Sequence, residues 1–173
     1  MDKYQNIIKN ISVEKLKQYF IYDANTGLFT RIKKTNNKVK LGEIAGKNTK
    51  QKYIEIKIEY IKFQAHRLAW LYMTGKMPNK FIDHIDGNKH NNRFNNLREV
   101  TASQNSQNKR TAKKTNSTKF LGVGFCKKNK INPYRASITV NGKYFALGYY
   151  ASASIAHNVY LNAKRKLHDA CTI

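Results

Sequence analysis

Residues 81–108 read FIDHIDGNKHNNRFNNLREVTASQNSQN, and no other stretch restricts the fold as much. Asparagines at 88, 91, 92, 95, 96, 105 and 108 are interleaved with Asp83, His84, Asp86 and His90, with few apolar residues between them. This segment is unlike the rest of the chain. Its amides and carboxylates must pair with one another, with main chain or with solvent. Asp86-Gly87-Asn88 is a tight-turn sequence, so 81–85 is predicted as a strand entering a loop. Residues 97–100 supply a short return strand, and Thr101-Ala102-Ser103-Gln104 fits a capping box that starts a helix near Ala102. The local order is strand, loop, strand, helix, with Asp83 and His84 on the first strand and Asn105 on the helix. Adjacent strand residues point to opposite faces, so Asp83 and His84 share a site only at a strand end or a bulge.

The flanking sequence predicts an α+β chain. Residues 12–20 suit a short helix capped by Ser12, and Tyr22 to Gly27 is turn chemistry leading to a strand over 28–33. Ile54, Ile56 and Ile58 alternate with Glu55 and Lys57, as in a half-buried strand. A helix over 65–74 follows, stopped by Gly75 and Pro78. Residues 108–119 carry five Lys or Arg and one apolar residue, Ala112, and read as a basic linker. Beyond it, strands are predicted at 123–127, 134–140 and 143–149, the last two joined by Asn141-Gly142, a strong hairpin signal. A helix over 152–167 completes a second unit. The expected organisation is an N-terminal α+β region (1–64), a core (65–108), the linker (109–119) and a three-stranded module with one helix (120–173).

Charge narrows the partners. Thirty-three Lys and Arg against ten Asp and Glu give +23, with a pI near 10.1. Such an excess favours a polyanion, nucleic acid before anionic membrane. No stretch approaches eighteen apolar residues, and 1–10 lacks the apolar core of a signal peptide, so no membrane partner is expected. Cys126 and Cys171 form neither a disulfide framework nor a CxxC zinc pair, which suits a reducing, cytoplasmic setting.

The polar run suggests a specific chemistry. Phosphodiester hydrolysis needs an activated water and charge stabilisation on the phosphate and leaving oxygen. A hard divalent ion, Mg²⁺ or Mn²⁺, accepts one carboxylate and one amide oxygen while keeping waters. Asp83 and Asn105 offer those ligands, and neutral His84 is a suitable acceptor for the proton of the attacking water.

The run also resembles the HNH nucleases of the phage homing type. The shared residues are His66-Arg67-Leu68, Asp83-His84-Ile85-Asp86-Gly87-Asn88, Asn91-Asn92-Arg93, Asn96-Leu97-Arg98 and Asn105. The resemblance implies a ββα-metal core in which Asp83 and Asn105 hold one metal ion. It makes His84 the general base and Asn96 a loop anchor that steadies it. The family's zinc-binding cysteine pairs are absent. Arg67, Arg93 and Arg98 from the core, and Lys113 and Lys114 from the linker, are expected against DNA.

The last unit resembles the three-stranded DNA-binding domain of plant ethylene-responsive transcription factors. The resemblance rests on Leu121-Gly122-Val123, Tyr134 to Ile138 and Gly142 to Tyr149. It implies double-stranded DNA contacts from Lys127, Arg135 and Lys143, with Tyr134, Tyr144 and Tyr149. Gly124-Phe125-Cys126 replaces the family's Arg-x-Arg. The leading expectation is a metal-dependent HNH DNA endonuclease acting as a monomer or weak dimer in a bacterial host cell. A non-catalytic DNA-binding regulator is the alternative, and an RNA-binding protein a third. The Tyr22 to Gly27 leader, also similar to phage HNH proteins, carries no chemistry legible in the sequence.

Overall fold

Ser12 opens the first helix of the computed structural model, which describes residues 11–35, 39–50 and 52–172. The signal-peptide expectation for 1–10 lies outside them. The chain divides into two units, Met1–Val100 and Thr101–Ile173. No helix among the described residues is long and apolar enough to cross a membrane.

In the first unit, α1 (Val13–Tyr19) is capped by the Ser12 hydroxyl, which accepts from the Lys15 N–H at 3.1 Å. It passes directly into β1 (Phe20–Asp23), which turns back into β2 (Leu28–Arg31). A second sheet has the order β3 (Lys47–Asn48), β4 (Ile54–Ile58), β5 (Ile61–Gln64), all antiparallel. α2 (Ala65–Thr74) begins where β5 ends and stops at Gly75, whose N–H donates to Leu71. β6 (Phe81–His84) and β7 (Leu97–Val100) form an antiparallel pair, joined through a loop and a 3-10 turn at Phe94–Asn96.

One apolar core unites these pieces. Leu16, Phe20 and Phe29 pack with Ile56, Leu68, Leu71 and Leu97. The division expected between residues 64 and 65 is therefore not observed, because β5 and α2 bury their apolar faces in this common core. Burial of each such side chain stabilises by about 1.5–3 kcal/mol, and a cut at that point would expose several of them.

The second unit starts with α3 (Ala102–Gln107), whose capping box is complete: the Thr101 hydroxyl and the Gln104 side chain each bond the other's main chain. Its sheet has the order β10 (Lys143–Tyr150), β9 (Tyr134–Val140), β8 (Val123–Phe125). Asn141 (φ 49°) and Gly142 (φ 79°) make the two-residue turn between β9 and β10. Two successive left-handed residues match the twist of the strands they join. α4 (Ala153–Leu167) packs Ala156 beside Val123 and Ala136. The segment expected as a linker is tied into this unit. Lys164 is buried and donates to the Lys109 carbonyl at 2.6 Å, and Asn116 donates to the carbonyls of Phe120 and Val123.

Candidate active site

The end of β6 carries the polar centre of the first unit. The strand is pinned at its start by Glu99, whose Oε1 accepts from the N–H groups of Asn79 (2.8 Å) and Lys80 (3.0 Å). Ile82, Asp83 and His84 are all buried, so the strand is covered on both faces. Asp83 lies opposite Arg98 in the register and His84 opposite Leu97. The Arg98 guanidinium donates to Asp83 Oδ2 from Nε (3.2 Å) and Nη2 (2.9 Å). His84 is the last residue of β6, and its carbonyl accepts from the Gly87 N–H at 2.9 Å. The strand end required for neighbouring Asp83 and His84 to serve one site is thus present.

The loop after His84 is organised by asparagines. Asn96 is buried; its Oδ1 accepts from the Asp86 N–H (3.0 Å), and its Nδ2 donates to Asp86 Oδ1 (3.0 Å) and the Asn91 carbonyl (2.8 Å). Its own carbonyl accepts from the Ile85 N–H at 2.9 Å. Burial alone would raise the Asp86 carboxyl. Hydrogen bonds from Asn91, the Asn88 N–H and Asn96 outweigh that and hold it below the usual range. Asn96→Ala is expected to destabilise the first unit by about 2 kcal/mol, because three side-chain hydrogen bonds of a buried residue vanish. Urea unfolding measures the loss, and amide exchange should show the Asp86 N–H losing protection first.

His84 Nε2 lies 3.0 Å from Asn92 Oδ1. Its ring packs edge-on against His66, with centroids 5.1 Å apart, and 6.1 Å from Tyr53. Burial lowers the His84 pKa below the ordinary histidine value, against the raising effects of Asn92, Asp86 and Asp83. The imidazole is therefore neutral at neutral pH, the state in which it accepts a proton.

His66 is only 4% exposed, and its Nδ1 has no hydrogen-bond partner among the described residues. Burial first, then the charges of His84, Arg67 and Lys89, push its pKa down to about 3. Unfolded, the same group titrates near ~6.5. Below that pH the unfolded chain binds a proton that the folded chain refuses, so stability is lost as pH falls from about 6.5 toward 3. At pH 4.5 the loss from His66 should be about 2–3 kcal/mol. His66→Phe should flatten this part of the slope in urea midpoints measured between pH 7 and 4.5. A His66→Phe slope equal to that of the parent would contradict it.

The other expected contacts divide. Arg93 is exposed beside the loop. Arg67 is half-buried and bonds the carbonyls of Pro78 (3.0 Å) and Lys80 (3.3 Å), so its fork holds the turn before β6. Arg98 is engaged with Asp83. Asn105 lies on α3 in the second unit and is partly buried; Lys113 and Lys114 are exposed there. On the open face of the three-stranded sheet, Arg135 is paired with Tyr149 in register, and its guanidinium lies 5.8 Å from the Tyr144 ring centre. Tyr134 falls on the other face, packed with the small core that includes Leu147 and Tyr150. Lys143 opposes Val140 at the hairpin tip, in phase with buried Ile138, and so departs from the open face; Lys127 follows the end of β8. Strand alternation separates these residues, which the linear sequence lists together.

Asn92 is the residue that the sequence reading left without a role. It is 3% exposed and touches the proposed base directly. Among the described residues no group of three or more His, Cys, Asp or Glu is placed to hold a metal. The oxygen donors at hand are a carboxylate and amides, a set that fits a hard, largely hydrated divalent ion.

Residues 63–107 match the family model described as HNH endonuclease. The chain is 43% identical over 83 residues to an uncharacterised HNH endonuclease of Acanthamoeba polyphaga mimivirus, covering 47% of this chain and 40% of that protein. It is 34% identical over 79 residues to protein 3.8 of Escherichia phage T7, covering 45% of this chain and 63% of that one. The chain thus spans less than two thirds of the length of each of these curated relatives. No solved structure matches it.

Proposed function

With an HNH endonuclease domain at residues 63–107 and viral relatives as the premise, we propose that the chain is a metal-dependent DNA endonuclease of the phage homing type. The observation that carries this reading is the pairing of Asp83 with a neutral, buried His84 at the end of β6, braced by the Asn96 loop.

In this reading His84 takes the proton of the water that attacks phosphorus, a step for which a neutral imidazole of lowered pKa is suited. Asp83 would hold one Mg²⁺ or Mn²⁺ ion, for which the family resemblance names Asn105 as the further ligand. Such an ion supplies charge stabilisation at the phosphate and the leaving oxygen. Arg98 occupies one oxygen of Asp83 and so fixes the orientation of the carboxylate. Asn96 holds the loop in the shape that supports His84. Together these assignments describe a ββα-metal site.

Duplex binding falls to both units. Arg93, Lys113, Lys114 and Lys127 suit phosphates. Arg135, Tyr144 and Tyr149 share a face suited to a groove, as in an ethylene-responsive-factor-like module. Arg67 and Tyr134 serve as supports in this scheme. The test is conversion of supercoiled plasmid to nicked or linear DNA in Mg²⁺ or Mn²⁺, with an EDTA control. Cleavage that requires the ion supports the reading; DNA binding without any cutting contradicts it. Binding should also weaken steeply with salt, because every phosphate contact releases counterions.

A further inference from the structure

The hairpin turn between β1 and β2 rests on the backbone that carries Asn92. The Tyr22 hydroxyl donates to the Asn92 carbonyl at 2.6 Å, a buried bond across 70 residues of sequence. The Tyr22 ring is fixed by the core, 4.7 Å from Phe29 and 5.6 Å from Tyr72 between ring centres. Burial, with a smaller contribution from Asp23, pushes its phenol up to about 12. The hydroxyl is thus a permanent donor.

The remainder of the turn adds to this hold. Ala24 accepts from the Phe94 N–H at 3.2 Å. Asp23 shapes the turn by accepting from the Asn25 N–H and the Thr26 hydroxyl, both at 2.8 Å. Gly27 has φ +76°, and a Cβ there would lie 2.4 Å from the Arg93 nitrogen and 2.5 Å from the Asn92 carbonyl carbon. Both the backbone angle and the space therefore require glycine. Three independent contacts bear on residues 92–94, and the first of these, Asn92, carries the side chain that meets His84 Nε2.

We propose that the Tyr22 to Gly27 turn is a positioning clamp for Asn92, which in turn holds His84 in the tautomer that carries its hydrogen on Nε2. An amide oxygen accepts only, so the ring nitrogen facing Asn92 Oδ1 carries the hydrogen. In the neutral ring Nδ1 then carries no hydrogen and is the nitrogen able to take one. This deepens the nuclease reading and rests on it for the role of His84. Tyr22, Gly27 and Asn92 are positioning residues: they act through His84 and need no contact with DNA.

The tautomer is read directly by nitrogen NMR of ¹⁵N-histidine-labelled full-length protein, at neutral pH without metal. The wild type should show His84 with an Nε2–H and an unprotonated Nδ1. Asn92→Leu removes the acceptor without changing side-chain size much, and should lose this signature and about 10²-fold in kcat. Asn92→Asp keeps an acceptor and should retain the signature. Tyr22→Phe removes one oxygen, and Gly27→Ala pushes on the same backbone. Each should lower kcat about tenfold or more while KM for DNA changes less than about twofold.

A proton on Nδ1 in the wild type overturns the proposal. So does an unchanged kcat in folded Tyr22→Phe and Asn92→Leu, or a loss of thermal stability in Asn92→Leu with the tautomer preserved. Wild-type protein with the expected tautomer that never cuts DNA contradicts the nuclease reading alone.

Discussion

His84→Gln is expected to leave DNA binding within about twofold of the parent and to lower the cleavage rate by about 10²–10⁴-fold, the usual worth of a general base. Glutamine keeps a side-chain N–H able to donate toward Asn92 Oδ1 but has no nitrogen that takes a proton. The packing of the ring with His66 and Tyr53 is lost, so some stability goes with it. A thermal-melting control separates this loss from the chemistry. Single-turnover cleavage at saturating protein gives the chemical effect free of binding. Parent-like cleavage by folded His84→Gln would remove His84 from the reaction.

Asp83→Asn is expected to reduce cleavage by at least about 10²-fold at any Mg²⁺ concentration, because a neutral amide is a poor substitute for the carboxylate on a hard cation. The substitution is isosteric, so packing along β6 is preserved. Its structural effect falls on Arg98, which donates twice to Asp83 Oδ2. Losing one partner of a fully buried pair costs about 3–5 kcal/mol. Here Arg98 is 27% exposed and can recover hydration, so about 1–3 kcal/mol is expected in urea unfolding. The two readouts separate the roles. A stability loss with full cleavage would leave Asp83 as an ion-pair residue only.

Elements set by short-range chemistry were legible in the sequence. Ser12 caps α1, Thr101 and Gln104 form the capping box, and Asn141-Gly142 turns β9 into β10. β1 was not legible, because α1 enters it without punctuation and exposed Ile21 breaks the polar-out pattern between buried Phe20 and Tyr22. β5 escaped similarly, running straight into α2 with no Gly or Pro between. Its continuity with α2 is also why the expected boundary after residue 64 dissolves into one core.

In the candidate site, Asp83, His84 and Asn96 could be named because their side chains sit in one short polar run. Asn92 could not be singled out from its neighbours. Its burial depends on Tyr22 and Gly27, which are brought to it only by the tertiary fold. In the second unit, residue type suggested basic and aromatic contacts, but the strand register decides which side they take. Arg135, Tyr144 and Tyr149 share the open face, whereas Tyr134 turns toward the core.

The proposed reaction is hydrolysis of DNA at this polar centre, with His84 as base and Asp83 on a metal ion. The rate of plasmid nicking in Mg²⁺, measured side by side for the parent, His84→Gln and Asp83→Asn at equal DNA occupancy, tests it most directly. EDTA-sensitive nicking by the parent and a drop of at least about 10²-fold in both variants are expected. A parent that binds DNA without nicking it, or variants that nick at the parent's rate, would contradict it.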